Sequence, residues 1–148
     1  MNIDSTEKIR NIGLFGHQGA GKTSLAEALL YCSGVIDRLG KVENGNTVAD
    51  FDPDEIKRAM SVFSAVVPIE WKENKVNIID TPGFFDFVSE SLGALRVVDC
   101  AILVAAANSG TEVGMEKIWD SCEARSKARI MFVNKMDKEN ANFHHLMD

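Results

Sequence analysis

The spacing of apolar residues changes several times along the first sixty positions. Ile9–Phe15 is typical of a short strand, and it runs into a glycine-rich segment. Apolar residues recur at helical spacing over residues 24–32, and Gly34 follows as a helix terminator. Residues 35–59 show no period and are too long for an ordinary connection, so we expect a functional or mobile loop.

The remaining chain again alternates strand and helix patterns. Alternation predicts a strand over residues 61–71, and Pro68 makes it an edge strand because proline cannot donate to a central ladder. A turn at residues 72–75 completes a hairpin with a second strand. The further elements predicted are a strand at 76–80, a helix near 85–98, a strand at Cys100–Ala106, a helix near 112–126, a strand at 129–133 and a last helix running to residue 148.

Strands separated by helices predict an α/β fold with a mostly parallel sheet and helices on both faces. We expect five strands, with the strand at 61–71 antiparallel at one edge. The 148 residues are enough for one buried core. The apolar share of 45% and the charged share of 26% exclude a disordered or collagen-like chain.

Charge and cysteine content narrow the function classes further. A formal net charge of −6 disfavours nucleic-acid binding by bulk electrostatics but leaves a local RNA contact open. No apolar run approaches the ~20 residues of a transmembrane helix, so we expect no membrane partner. The three cysteines, Cys32, Cys100 and Cys122, form no CxxC pair. They are interpreted as reduced packing cysteines of a cytoplasmic protein.

A glycine-rich loop between the first strand and the first helix matches the pattern GxxxxGK[ST]. Its backbone N–H groups and the helix dipole suit phosphate oxygens. Lys22 would contact the β- and γ-phosphates, and the Thr23 hydroxyl would ligate Mg²⁺. A chance glycine turn is the alternative, but the flanking strand and helix disfavour it. The predicted nucleotide-binding residues here are Gly16, His17, Gln18, Gly19, Ala20, Gly21, Lys22, Thr23 and Ser24.

A second motif, Asp80-Thr81-Pro82-Gly83, ends the strand at 76–80. Ligands of open α/β sheets lie beyond the carboxyl ends of the strands, which places Asp80 beside the first loop. Its carboxylate would hold Mg²⁺ directly or through water. The Gly83 N–H could reach a γ-phosphate with no side chain in the way. Taken alone, the four residues also suit an ordinary turn.

A third motif, Asn134-Lys135-Met136-Asp137, follows the strand at 129–133 and indicates which nucleotide base is bound. Guanine presents two adjacent donors, which one carboxylate, that of Asp137, accepts as a fork. Adenine has an acceptor at that edge and would be repelled. Asn134 could bond the base or tie loops together, and the Lys135 stem could lie over the ring. A polar turn that starts a helix is the alternative.

These motifs, with residues 45–50 and 77–87, resemble the GTP-binding domain of translational GTPases, most closely elongation factor G. The resemblance implies a Ras-like P-loop fold, Mg²⁺-dependent binding of GTP and GDP, and hydrolysis of GTP on the ribosome by a monomer. It implies that residues 35–61 form the first switch loop and residues 83–98 the second, near ribosomal RNA. Family members continue for several domains, so residues 1–148 are expected to be a GTP-binding domain truncated at its C-terminus.

The chain departs from the family pattern in three segments. Phe84 stands where the family has a histidine that would position the attacking water, so catalysis assigned to Gly83 and Phe84 is expected to be slow. Ser61 replaces a switch-loop threonine and keeps a hydroxyl, which leaves Thr23, Ser61 and Asp80 as the predicted Mg²⁺ ligands. Gly19 replaces an acidic loop residue. These changes indicate a divergent branch of the elongation factor G type.

Three other functions remain open at this point. A nucleotide-gated binding module with little hydrolysis is consistent with Phe84. A P-loop ATPase or small-molecule kinase shares the first motif but not Asp137. A ribosome-protection factor would share every motif named above.

Overall fold

The structure is a computed structural model that describes residues 5–147, apart from the side chains of Phe85, His145 and Met147. Within this range one sheet holds five strands in the order β2-β3-β1-β4-β5. Only β2 runs antiparallel, at the edge, as its proline predicts. The strands are β1 Ile9–Phe15, β2 Ala65–Trp71, β3 Asn74–Asp80, β4 Cys100–Ala106 and β5 Ala128–Asn134.

Helices cover both faces of the sheet, which confirms the predicted fold class. They are α1 Lys22–Cys32, α2 Pro53–Arg58, α3 Val88–Val97, α4 Val113–Ala124 and α5 Phe143–Met147. Side chains of β1 alternate between the two faces, so Leu14 joins the core under α1 while Phe15 joins the core under α3 and α4. None of the helices in residues 5–147 is long and apolar enough to cross a bilayer.

The interpretation of residues 35–59 as a loop without regular structure was partly wrong. This stretch contains the one-and-a-half-turn helix α2, whose N-cap Asp52 accepts a hydrogen bond from the Asp54 N–H at 2.8 Å. Pro53 occupies the first helical turn, where a missing N–H costs nothing. A six-residue helix is too short to show an apolar period, but its cap sequence could have revealed it.

The edge strand begins four residues later than predicted. Residues 61–64 lie outside β2, and the N–H groups of Val62, Phe63 and Ser64 bond to carboxylates on helices. The Glu55 carboxylate on α2 accepts from the Val62 and Phe63 N–H groups at 2.8 and 3.0 Å. The buried Glu55 therefore ties Val62 and Phe63, which precede the strand, to α2.

Several smaller boundaries also differ from the predictions. The hairpin turn is only two residues long, since Lys72 and Glu73 both have positive φ angles (47° and 63°) and β3 already starts at Asn74. The predicted helix at 85–98 is a 3₁₀ turn at Phe85–Phe87 followed by α3. Cys32 is exposed and so is not a packing residue, whereas Cys122 is buried. The expected end of the last helix, Asp148, lies outside the described residues.

Candidate nucleotide and magnesium site

The glycine-rich loop wraps around the ammonium group of Lys22. Lys22 is only 6% exposed, and its Nζ donates to the backbone carbonyls of Gly16 and His17, both at 3.0 Å. Burial lowers the pKa of Lys22, while the nearby carboxylates of Asp80 and Asp50 act in the opposite direction. A cation held this way is costly to bury alone, and it is suited to a polyanionic ligand.

Two hydroxyls and two carboxylates meet at the start of α1. The Thr23 hydroxyl donates to Asp80 Oδ2 at 2.7 Å, and the Ser61 hydroxyl donates to Asp50 Oδ1 at 2.7 Å. The two hydroxyl oxygens are 3.3 Å apart, which joins both pairs into one cluster. The cluster therefore connects α1 and β3 with the first switch region.

This cluster has spare acceptor capacity. Asp80 Oδ1 and Asp50 Oδ2 are buried without a hydrogen-bond partner. Burial is the largest cause that raises the pKa of Asp80 to about 6, and burial also raises the pKa of Asp50. Buried carboxylate oxygens without partners are destabilising unless a cation or proton compensates them.

The donor set fits Mg²⁺, which prefers oxygen ligands and usually keeps several waters. Thr23, Ser61 and Asp80 could hold the ion, with Asp50 as a further oxygen donor. Residues 5–147 contain no group of three or more His, Cys, Asp or Glu side chains able to hold a metal. The hydroxyl and carboxylate oxygens at the start of α1 suit a small oxygen-ligated cation that shares its coordination with phosphates.

Gly83 lies against the glycine-rich loop with no room for a side chain. A Cβ at Gly83 would be 2.5 Å from both the Gln18 amide nitrogen and Lys22 Nζ. The preceding Thr81 is fully buried and donates its hydroxyl to the Leu14 carbonyl at 2.7 Å, which fixes this turn to β1. The close approach requires glycine, and it places the backbone of the second switch region beside the lysine.

The third motif is connected to the first through Asn134. Its side-chain amide donates to the Ala20 carbonyl at 2.9 Å, so Asn134 ties the two loops together. A Cβ at Gly21 would lie 2.3 Å from this amide nitrogen, and Gly21 has φ 98°, so only glycine suits that position. Met136 and Asp137 are exposed, and Lys135 is half-buried with φ 58°.

A cavity of about 290 Å³ runs through these groups. It is lined by the glycine-rich loop together with Gly83 and Phe84, and also by Lys135. The first switch region closes one wall through Ser61 and its neighbours. Its lining residues are Gln18, Gly19, Gly21, Lys22, Thr23, Ser24, Val42, Glu43, Asp50, Ala59, Met60, Ser61, Gly83, Phe84 and Lys135.

Residues 7–148 match the family described as "Elongation factor Tu GTP binding domain". The chain belongs to this family. The domain is 43% identical over 143 residues to mitochondrial ribosome-releasing factor 2 of Candida dubliniensis, an alignment that covers 97% of this chain and 18% of that protein. It is 40% identical over 148 residues to elongation factor G of Granulibacter bethesdensis, an alignment that covers 100% of this chain and 21% of the relative.

A crystal structure of a protein from Thermus thermophilus superposes on the GTP-binding domain with a TM-score of 0.89 at 38% identity. The superposition covers 95% of this chain and 21% of the solved one. The chain thus spans about a fifth of the length of the proteins it matches. The resemblance to translational GTPases of the elongation factor G type is confirmed at the level of family and fold.

Most of the predicted site residues of the GTP-binding domain lie together. Thr23, Ser61 and Asp80 form the hydroxyl and carboxylate cluster, and Lys22 and Gly83 meet beside it. His17 instead turns away. Its Nε2 is 3.4 Å from Glu112 Oε1, and it lines a neighbouring cavity between α3 and α4.

Sequence reasoning assigned no role to two acids of this site. Asp50 lies within the stretch at 45–50 that carries the family resemblance, yet its bond to Ser61 depends on the folded switch region. Glu27 is buried on α1 and accepts from the N–H groups of Gly40 and Val48, which anchors the loop to the helix. A glutamate within an otherwise apolar helix was the sequence signal that could have indicated a buried role for Glu27.

Asp80→Asn is expected to stabilise the nucleotide-free protein in EDTA at neutral pH. The pKa of Asp80 is raised from 3.8 to about 6, so the folded state holds this proton more tightly than the unfolded state. The stabilising contribution is complete below pH ~4 and is lost as the pH rises through about 6. Asparagine keeps an acceptor for the Thr23 hydroxyl and carries no charge.

Denaturant unfolding of parent and variant at several pH values between about 4 and 7 measures this effect. The stability gap in favour of Asp80→Asn should grow by about 1–3 kcal/mol across that range. A gap that does not change with pH would show that the buried carboxylate is compensated within the protein itself.

Proposed function

We propose that this domain is the Mg²⁺-dependent GTP/GDP switch of an elongation-factor-G-like translational GTPase that hydrolyses GTP on the ribosome. One observation carries the proposal: buried carboxylate oxygens without partners lie beside the loop-held Lys22 ammonium. A cation and a polyphosphate would together satisfy both. The guanine motif then lies at the end of β5, tied to the same loop by Asn134.

Each residue of the site has a separate proposed role in binding the nucleotide or Mg²⁺. Lys22 and the loop N–H groups bind the phosphates, and the Gly83 backbone is positioned to meet the terminal phosphate. Thr23, Ser61 and Asp80 would hold Mg²⁺, which when bound withdraws charge from the phosphate oxygens. Because Ser61 belongs to the first switch region, loss of the terminal phosphate would release that region from the nucleotide.

Asp137→Asn tests the choice of base. The carboxylate accepts from two guanine donors, and one such bidentate contact carries about 1–3 kcal/mol of discrimination. GTP affinity should therefore fall about 5- to 150-fold, and the preference for GTP over xanthosine triphosphate should be lost. Competition binding against both nucleotides is the measurement.

Asp120→Asn on the exposed face of α4 is the matched control and should leave the preference unchanged. If Asp137→Asn keeps the parent's preference for GTP over both xanthosine triphosphate and ATP, guanine is not recognised by this residue.

Phe84 favours a second candidate, a nucleotide-gated module with little hydrolysis. A phenyl ring can neither donate nor accept a hydrogen bond in the manner that a water-orienting group needs. We therefore infer that intrinsic hydrolysis is slow and that a GTP-bound state is long-lived. Single-turnover hydrolysis with and without ribosomes separates this module from an efficient GTPase.

The partners follow from the proposed activity. Relatives are named elongation factor G or ribosome-releasing factor 2, which supports the ribosome as the binding partner. We propose that the factor acts as a monomer in the cytoplasm. The distinction between an elongation, ribosome-releasing or ribosome-protecting role belongs to regions of the relatives outside this domain.

A further inference from the structure

The Gln18 side chain lines the nucleotide cavity, and its amide has no hydrogen-bond partner in the described chain. Its side chain is exposed, and within residues 5–147 it makes no hydrogen bond. Its backbone nitrogen lies 2.5 Å from the position that a Gly83 Cβ would occupy. Gln18 therefore lies against Gly83, and its side chain lines the same cavity as Gly83 and Phe84.

Several of the other polar side chains that line this cavity already have hydrogen-bond partners. Lys22 bonds to loop carbonyls, and the hydroxyls of Thr23 and Ser61 bond to carboxylates in the cluster. Ser24 follows Thr23 on α1, and Lys135 belongs to the guanine motif. Besides Ser24 and Lys135, the polar lining side chains without a bonded partner in the described chain are those of Gln18 and Glu43.

An amide meets the chemical need better than a carboxylate. A water molecule that attacks a phosphate must be held by an acceptor for its hydrogen, while the neighbouring phosphate oxygens need donors. Glutamine supplies both from one neutral group. The Glu43 carboxylate has no donor, and its negative charge would be repelled by the triphosphate.

We propose that the Gln18 amide holds the attacking water for GTP hydrolysis, in place of the missing histidine at position 84. This inference rests on the proposed GTPase function. The water oxygen bonds to the γ-phosphorus as the bond from that phosphorus to the β–γ bridging oxygen breaks. The electron pair of the broken bond stays on GDP, and the protons of the water leave to the released phosphate and to solvent.

The test uses the intact factor with ribosomes and the variant Gln18→Met, which has similar length and no amide. Single-turnover hydrolysis should slow by about 10²-fold, because orientation of the reacting water is lost. Affinity for a non-hydrolysable GTP analogue should stay within about twofold of the parent value, because the contact acts on the water and not on the nucleotide.

A double-mutant cycle gives a readout that a merely structural role would not change. In a Phe84→His background a second group can hold the water, so Gln18→Met should then cost less than about tenfold. Glu43→Gln tests the competing cavity residue and should slow hydrolysis less than Gln18→Met does. A 10²-fold loss in Glu43→Gln with a normal rate in Gln18→Met would overturn the assignment.

Three further outcomes distinguish failure of the Gln18 assignment from failure of the proposed function. Parallel loss of analogue affinity and hydrolysis in Gln18→Met would make Gln18 a ligand contact only and overturn the inference. A parent that binds the analogue but never hydrolyses GTP would overturn the inference and leave nucleotide binding standing. A parent that binds no guanine nucleotide would instead overturn the proposed function.

Discussion

Lys22→Ala is expected to reduce affinity for GTP and GDP by at least about 10²-fold. The ammonium group is nearly buried, held by the Gly16 and His17 carbonyls beside Gly83. Charge-assisted contacts to phosphate contribute about 1.5–3 kcal/mol each, and Lys22 is positioned for more than one. Equilibrium binding of a fluorescent guanine nucleotide measures the loss.

The variant should stay folded, because burial lowers the pKa of Lys22 and so disfavours its charged form in the folded protein. Circular dichroism and thermal unfolding of the nucleotide-free protein check this point. Lys8→Ala is the matched control, since its partly exposed ammonium pairs with exposed Glu73 at 3.5 Å, away from the nucleotide site. Unchanged GTP affinity in Lys22→Ala would remove the glycine-rich loop from the proposed site.

Phe84→His is expected to raise GTP hydrolysis by about 10²-fold with little change in GTP affinity. Histidine restores a donor and an acceptor beside Gly83, at the position where the family pattern has one. Such a group contributes mainly in the transition state, so the rate rises while ground-state binding is preserved. Single-turnover hydrolysis by the intact factor with ribosomes is the decisive measurement.

Phe84→Leu is the control that distinguishes the effect of a new hydrogen-bonding group from the effect of removing the ring. It removes the ring without adding a hydrogen-bonding group, so it should not raise the rate. If the parent already matches a histidine-bearing elongation factor and Phe84→His is neutral or slower, the phenyl ring does not limit catalysis. That outcome would show that the Gln18 amide already orients the water as well as a histidine at position 84 does.

The long-range arrangement of the sheet was predictable because it follows from periodicity and from a few strong rules. Pro68 excluded a central position for its strand, and β2 lies at the edge of the sheet. The ligand-facing motifs at the ends of β1, β3 and β5 were brought to one side because parallel strands share a carboxyl edge. The proximity of Thr23 and Asp80 needed no more than that rule.

The first switch region was not predictable in the same way. Its short helix α2, the delayed start of β2 and the anchoring of the loop to α1 depend on buried acids that accept backbone N–H groups. Such bonds join residues 7 to 21 positions apart and leave no period in the sequence. Asp50 gained its role only because this folding brings it to Ser61.

The sequence by itself determined the fold class, the parallel sheet with its antiparallel edge, and the three motifs that we expect to bind phosphate, Mg²⁺ and guanine. Each is local: a spacing, a glycine, or a residue type at the end of an apolar run. Tertiary structure alone decided how closely Gly83 approaches Lys22, which carboxylate oxygens are left without partners, and that Gln18 flanks Phe84. These features depend on distances between segments that are far apart in the chain, and only packing sets those distances.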